Sequence, residues 1–66
     1  MLGTKLKALR QSRQLSQREV AESLSLSRSA YSNYENDLRR PDIEALLCLS
    51  ELFQVPLSYF ANNSLK

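Results

Sequence analysis

Histidine and tryptophan are absent from this 66-residue chain, and glycine and cysteine occur once each. Without histidine the commonest acid–base group at neutral pH is missing. No Cys/His cluster offers a zinc ligand set, and the carboxylates lack a catalytic setting. An enzyme is therefore the remotest reading, and no cofactor or metal is expected. The lone Cys48 cannot close an internal disulfide, which suits a reducing, cytoplasmic compartment. No apolar run approaches the roughly 18 residues of a membrane span. Lys5, Lys7 and Arg10 interrupt the stretch where a signal peptide would carry its apolar core. One glycine, two prolines (Pro41 and Pro56) and no alternating strand pattern leave an all-α chain.

A chain of this length forms one small domain, expected over residues 1–66. A domain of this size buries only about 60% of its unfolded surface, so its stability is marginal and association with a second copy would help. The charge is uneven. Residues 1–40 hold eight basic side chains against four acidic ones, and residues 41–66 hold one against three. A basic front and an acidic back suit a partner that carries phosphates.

Leu2, Leu6 and Leu9 recur at helical spacing, which predicts a first helix over 2–13. Ser16 and Glu19 form a capping box that opens a second helix at about 17–24, with Val20, Ala21 and Leu24 inward. Ser27 caps a third helix at about 28–36. Asp42 caps a fourth, with Glu44 in its first turn and Ile43, Leu46, Leu49, Ser50 and Phe53 on one face. Pro56 marks the start of a short fifth helix whose inner side is Leu57 and Phe60. The tail over 61–66 is expected to fray.

The stretch SLSRSAYSNYEND, residues 25–37, is the most unusual in the chain. Wound as a helix, it turns Ala30, Tyr31, Tyr34 and Glu35 to one side. Arg28, Ser29, Ser32, Asn33 and Asn36 fall on the other. Solvent-facing helices favour Glu, Lys and Gln, which form helix more readily than serine and asparagine. Short polar side chains let a helix approach another surface closely. Arginine grips guanine and asparagine grips adenine with paired hydrogen bonds, in a groove wide enough for a helix. A capped short helix, a tight turn and a second capped helix make a helix-turn-helix over about 17–36. In that unit the first helix crosses the DNA backbone and the second enters the groove.

The run LSQREVAESLSLSRSAYSNYENDLRRPDIEALLCLSELFQVPLSYF resembles the DNA-binding domain of the phage repressor and Cro type, the XRE family. The likeness covers roughly residues 3–60 and rests on several parts in order: LSQ, SRSAYSNYE, RRP and VPLSYF. It implies a compact five-helix, lambda-repressor-like fold and a regulator that binds double-stranded DNA. By position it implies that Arg28, Ser29 and Asn33 face base edges. Gln17, Ser27, Ser32 and Asn36 would hold phosphates. Arg39 and Arg40 would meet the backbone or reach toward the minor groove. Such proteins commonly bind palindromic operators as homodimers.

Arg10 and Glu35 lie on facing apolar stripes, and the resemblance places a similar pair there. An architectural ion pair is expected. Three turn positions that are often glycine in this family hold Gln14, Ser25 and Asp37, so left-handed backbone is expected at non-glycine residues. Tyr31 and Tyr34 are expected in the core with hydroxyls at its edge. Cys48 reads as an ordinary helix residue. Leu47, Leu52, Leu57, Tyr59 and Phe60 form either an exposed dimerisation patch or a wider contact within the chain.

The combined reading is a cytoplasmic, dimeric transcriptional repressor of bacterial or phage origin. With no second domain expected, control would come from concentration or from a partner regulatory protein. Phage repression, restriction-modification control and antitoxin action are possible contexts. A protein-interaction module on the same fold is the alternative, but its groove-facing stripe would carry acidic or bulky apolar groups. RNA binding lacks a module signature.

Overall fold

Ser16, Ser27 and Asp42 each hold extended backbone and open a helix behind them. The computed structural model describes residues 1–61. Its five helices are α1 (Leu2–Ser12), α2 (Gln17–Ser23), α3 (Arg28–Glu35), α4 (Ile43–Phe53) and α5 (Ser58–Ala61). Among the described residues all regular structure is helical, and no helix is long and apolar enough to cross a membrane. Ala61 closes α5, and the rest of the tail expected to fray lies outside the described residues.

Each expected cap forms. Ser16 Oγ accepts the Glu19 N–H at 3.0 Å, and Glu19 Oε1 accepts the Ser16 N–H at 2.8 Å. Ser27 Oγ takes the Ala30 N–H at 3.1 Å, and Asp42 Oδ1 takes that of Ala45 at 2.9 Å. Each such cap contributes about 1 kcal/mol. Met1 gives α1 no side-chain cap. Asp37 supplies one from 34 residues away, its Oδ1 accepting the Gly3 N–H at 3.0 Å.

The helix stops are equally uniform. Left-handed backbone occurs at Gln14, Ser25, Asp37 and Gln54, with φ of 59°, 59°, 60° and 58°. The first three were expected; Gln54 was not. After each turn the chain bonds back: Leu15 N–H to Arg10 O, Leu26 to Ala21, Leu38 to Asn33 and Val55 to Ser50. These bonds satisfy carbonyls that a helix end otherwise leaves open.

The one glycine serves none of these turns. A Cβ at Gly3 would stand 2.2 Å from the Glu35 carbonyl oxygen and 2.7 Å from its carbon. Backbone atoms cannot yield that far, so only glycine lets α1 press against the end of α3. Leu6, Leu9, Val20, Ala21, Tyr31, Leu49, Phe53 and Phe60 form the buried core. Helix α3 packs on both α1 and α2. Arg13 donates to the Phe53 carbonyl and Lys5 to that of Tyr59, which ties α1 to α4 and α5.

One expectation about an apolar face needs correction. Ile43 is 60% exposed and does not join Leu49 and Phe53 in the core. It stands in the first turn of α4, at the lining of an open groove rather than under a covering helix. Phe60 is only 8% exposed and packs in the core, as expected of the inner side of α5, so of the two readings of its apolar cluster it takes the contact within the chain. Tyr31 also differs: its hydroxyl is fully buried, not at the core edge.

Ser25→Gly should stabilise the protein by about 0.5–1 kcal/mol, because relief of left-handed strain exceeds the added freedom of the unfolded chain. Urea unfolding of the variant measures this, and a lower midpoint would contradict it.

Candidate nucleic-acid interface

The polar stripe of α3 remains open to solvent. Arg28, Ser29 and Asn36 are exposed, and Ser32 and Asn33 are half-buried. Among the described residues no side-chain hydrogen bond or ion pair engages Arg28, Ser29 or Asn33. Ser32 Oγ accepts from Asn36 Nδ2 at 3.3 Å. Ser27 Oγ is committed to its cap. The three residues expected at base edges are thus free to donate and accept, while Ser27, Ser32 and Asn36 are partly engaged.

Beyond α3 the chain carries Arg39 and Arg40, both exposed. The Asn33 carbonyl accepts from the N–H groups of Leu38 and Arg39, which pins this basic loop to the end of α3. Together with Ile43, Leu46, Leu57 and Phe60 the two arginines line an open groove of about 590 Å³.

Behind the stripe lies a buried charge. Arg10 Nε donates to Glu35 Oε2 at 2.6 Å and Nη2 to Oε1 at 3.1 Å, with the side chains 11% and 2% exposed. Arg10 Nη1 also donates to the Leu15 carbonyl at 3.0 Å. The Tyr31 hydroxyl is buried near this pair without a geometrically formed hydrogen bond. Burial, and then the Glu35 carboxylate, raise its pKa above the ordinary phenol range. Burial opposes ionisation of Glu35, but Arg10, Tyr31 and Gln17 outweigh it, so its pKa lies below the ordinary carboxylate value.

Gln17, expected at a phosphate, already has a partner within the chain. Its amide does not point freely outward. Nε2 donates to Glu35 Oε1 at 3.0 Å. The buried carboxylate is a stronger acceptor than water, and the turn into α2 sets Gln17 over it. The partners are 18 residues apart, so no local pattern announces the bond.

Of the five residues named for a dimer patch, only Leu47 is exposed, at 47%. Leu52, Leu57 and Tyr59 pack against the core, as Phe60 packs within it. Leu38 and Ile43 are exposed apolar residues outside that patch; Ile43 shares a helical face with core residues, and Leu38 lies in the loop after α3. Cys48 is exposed on α4, and no His/Cys/Asp/Glu group among the described residues could hold a metal ion.

A family model for the helix-turn-helix matches residues 6–60. The chain belongs to this helix-turn-helix family. It is similar to the HTH-type transcriptional regulator ImmR of Bacillus subtilis (strain 168), 45% identical over 58 residues, 88% of this chain and 46% of that protein. It is also similar to the HTH-type transcriptional activator BcrR of Enterococcus faecalis, 40% identical over 53 residues, 80% of this chain and 26% of BcrR. The cryptic phage CTXphi transcriptional repressor RstR of Vibrio cholerae is 30% identical over 64 residues, 97% of this chain and 58% of RstR. The helix-turn-helix chain therefore spans 58% or less of the length of these three relatives. No solved structure matches it.

Arg10→Met leaves the Glu35 carboxylate buried without its cation and should cost about 3–5 kcal/mol. Unchanged melting would show that the pair stabilises nothing. The lowered Glu35 pKa also sets a pH dependence. Its stabilisation is complete above the unfolded carboxylate value of about 4.3 and is lost as pH falls toward the lower folded value. Melts between neutral and acid pH should show that loss, and Arg10→Met should flatten it.

Proposed function

We propose that this domain is the DNA-reading part of a transcription regulator, with α3 lying in the major groove. The observation that carries the reading is the stripe of Arg28, Ser29 and Asn33, held on a capped helix and free of internal bonds. In this reading Arg28 and Asn33 recognise purine edges and Ser29 adds a short contact. Ser27, Ser32, Asn36, Arg39 and Arg40 meet phosphates along either side of the groove. Gln17 contributes from the start of α2.

The regulator acts as a two-fold dimer on a palindromic operator, with half-sites about 34–36 Å apart. Exposed Leu38, Ile43 and Leu47 supply apolar surface for such pairing. Occupation of a promoter by the dimer makes repression the favoured outcome. Its setting is the cytoplasm, where its operator lies on the nucleoid or on phage DNA.

Selection of bound duplexes from a random library, at stated salt, tests the reading and reveals any two-fold symmetry. On the selected site, Arg28→Ala or Asn33→Ala should lose about 1–3 kcal/mol and relax preference at particular bases. Arg40→Ala should weaken all sequences evenly and lower the salt slope by about 1. Equal losses on every sequence from all three variants would refute this division of roles.

A further inference from the structure

Glu35 is fixed before any ligand arrives. Both its oxygens receive Arg10, and its side chain is almost wholly out of water. Oε1 also receives Gln17 Nε2 at 3.0 Å. A primary carboxamide carries two N–H donors on one nitrogen. The group is planar, so directing one donor at Glu35 also directs the other. Among the described residues no hydrogen bond uses that second donor. Gln17 is only half-buried and is the first residue of α2. An anionic acceptor behind the amide polarises it and strengthens the remaining donor.

Building on the duplex-binding reading, we propose that Glu35 is a positioning residue for phosphate recognition: it holds the Gln17 carboxamide so that the outer N–H meets a phosphate oxygen of the duplex. Arg10 holds Glu35, and Glu35 holds Gln17. The ion pair thereby sets the direction of a surface donor as well as joining helices. A free surface glutamine samples many rotamers and must lose them on binding. This one is already ordered. Its neutrality matters, because a lysine at 17 would turn inward to Glu35 and a glutamate would be repelled by it.

A neutral donor displaces no cation from the protein–DNA contact, so its effect is separable from that of an arginine. Gln17→Ala should weaken binding to the selected duplex about tenfold while leaving the salt slope unchanged. The same substitution is then made in an Arg10→Met/Glu35→Leu background, which removes both charges together. There the further loss should shrink to less than about twofold, the mark of coupled residues in a double-mutant cycle. Equal losses in both backgrounds would overturn the proposal. A second measurement needs no folded double variant. In the free wild-type chain, the Gln17 carboxamide should show restricted motion by NMR relaxation, and its nitrogen resonance should shift on duplex titration. Free reorientation of that carboxamide would also overturn the proposal. If the wild-type chain bound no duplex at low salt, the DNA reading itself would fall, and this inference with it. Duplex binding with uncoupled losses would remove this inference alone.

Discussion

The carboxylate of Glu35 is the constraint on which the rest of the domain depends. Through Arg10 it reaches α1 and, at Leu15, the turn into α2; through Gln17 it reaches α2 itself. Its own helix is α3, and its backbone carbonyl lies against Gly3. Apolar burial is non-directional and would permit several angles between such short helices. A buried charge accepts few arrangements, since an unpaired one is heavily penalised. The angle between the two helices of the helix-turn-helix is thereby set by hydrogen bonds.

This framework leaves the outward side of α3 without structural duties. Tyr31 and Glu35 face the interior and carry the packing. Arg28 and Ser29 are exposed, and with Asn33 they make no side-chain hydrogen bond within the described residues, so they can differ with little disturbance to the fold. The separation explains how a helix of low intrinsic propensity is tolerated. Its stability comes from one buried face, its cap at Ser27 and its locked C-terminal turn.

What was legible in the sequence was mostly local. The caps at Ser16, Ser27 and Asp42 depend on residues three apart, and the left-handed stops depend on where a helical pattern breaks. Arg10 and Glu35 were readable because two opposite charges interrupt apolar stripes. The polar stripe of α3 was readable because its composition conflicts with helix propensity. Less accessible were contacts between distant positions: Gln17 with Glu35, Asp37 with the start of α1, and the close approach at Gly3. Ile43 was misplaced for a related reason. Helical spacing says which residues share a face, but neighbouring helices decide how much of that face they cover.

The non-glycine helix stops bear on how the protein persists in a cell. With Gln14, Ser25, Asp37 and Gln54 all left-handed, the chain carries strain at four junctions within a very small domain. Each such residue costs roughly 1–2 kcal/mol that a glycine would not, which lowers the reserve against unfolding. Where reserve is thin, modest heat or one unfavourable substitution enlarges the population that proteases can cut. Easing the backbone at any one of the four junctions would shrink that population.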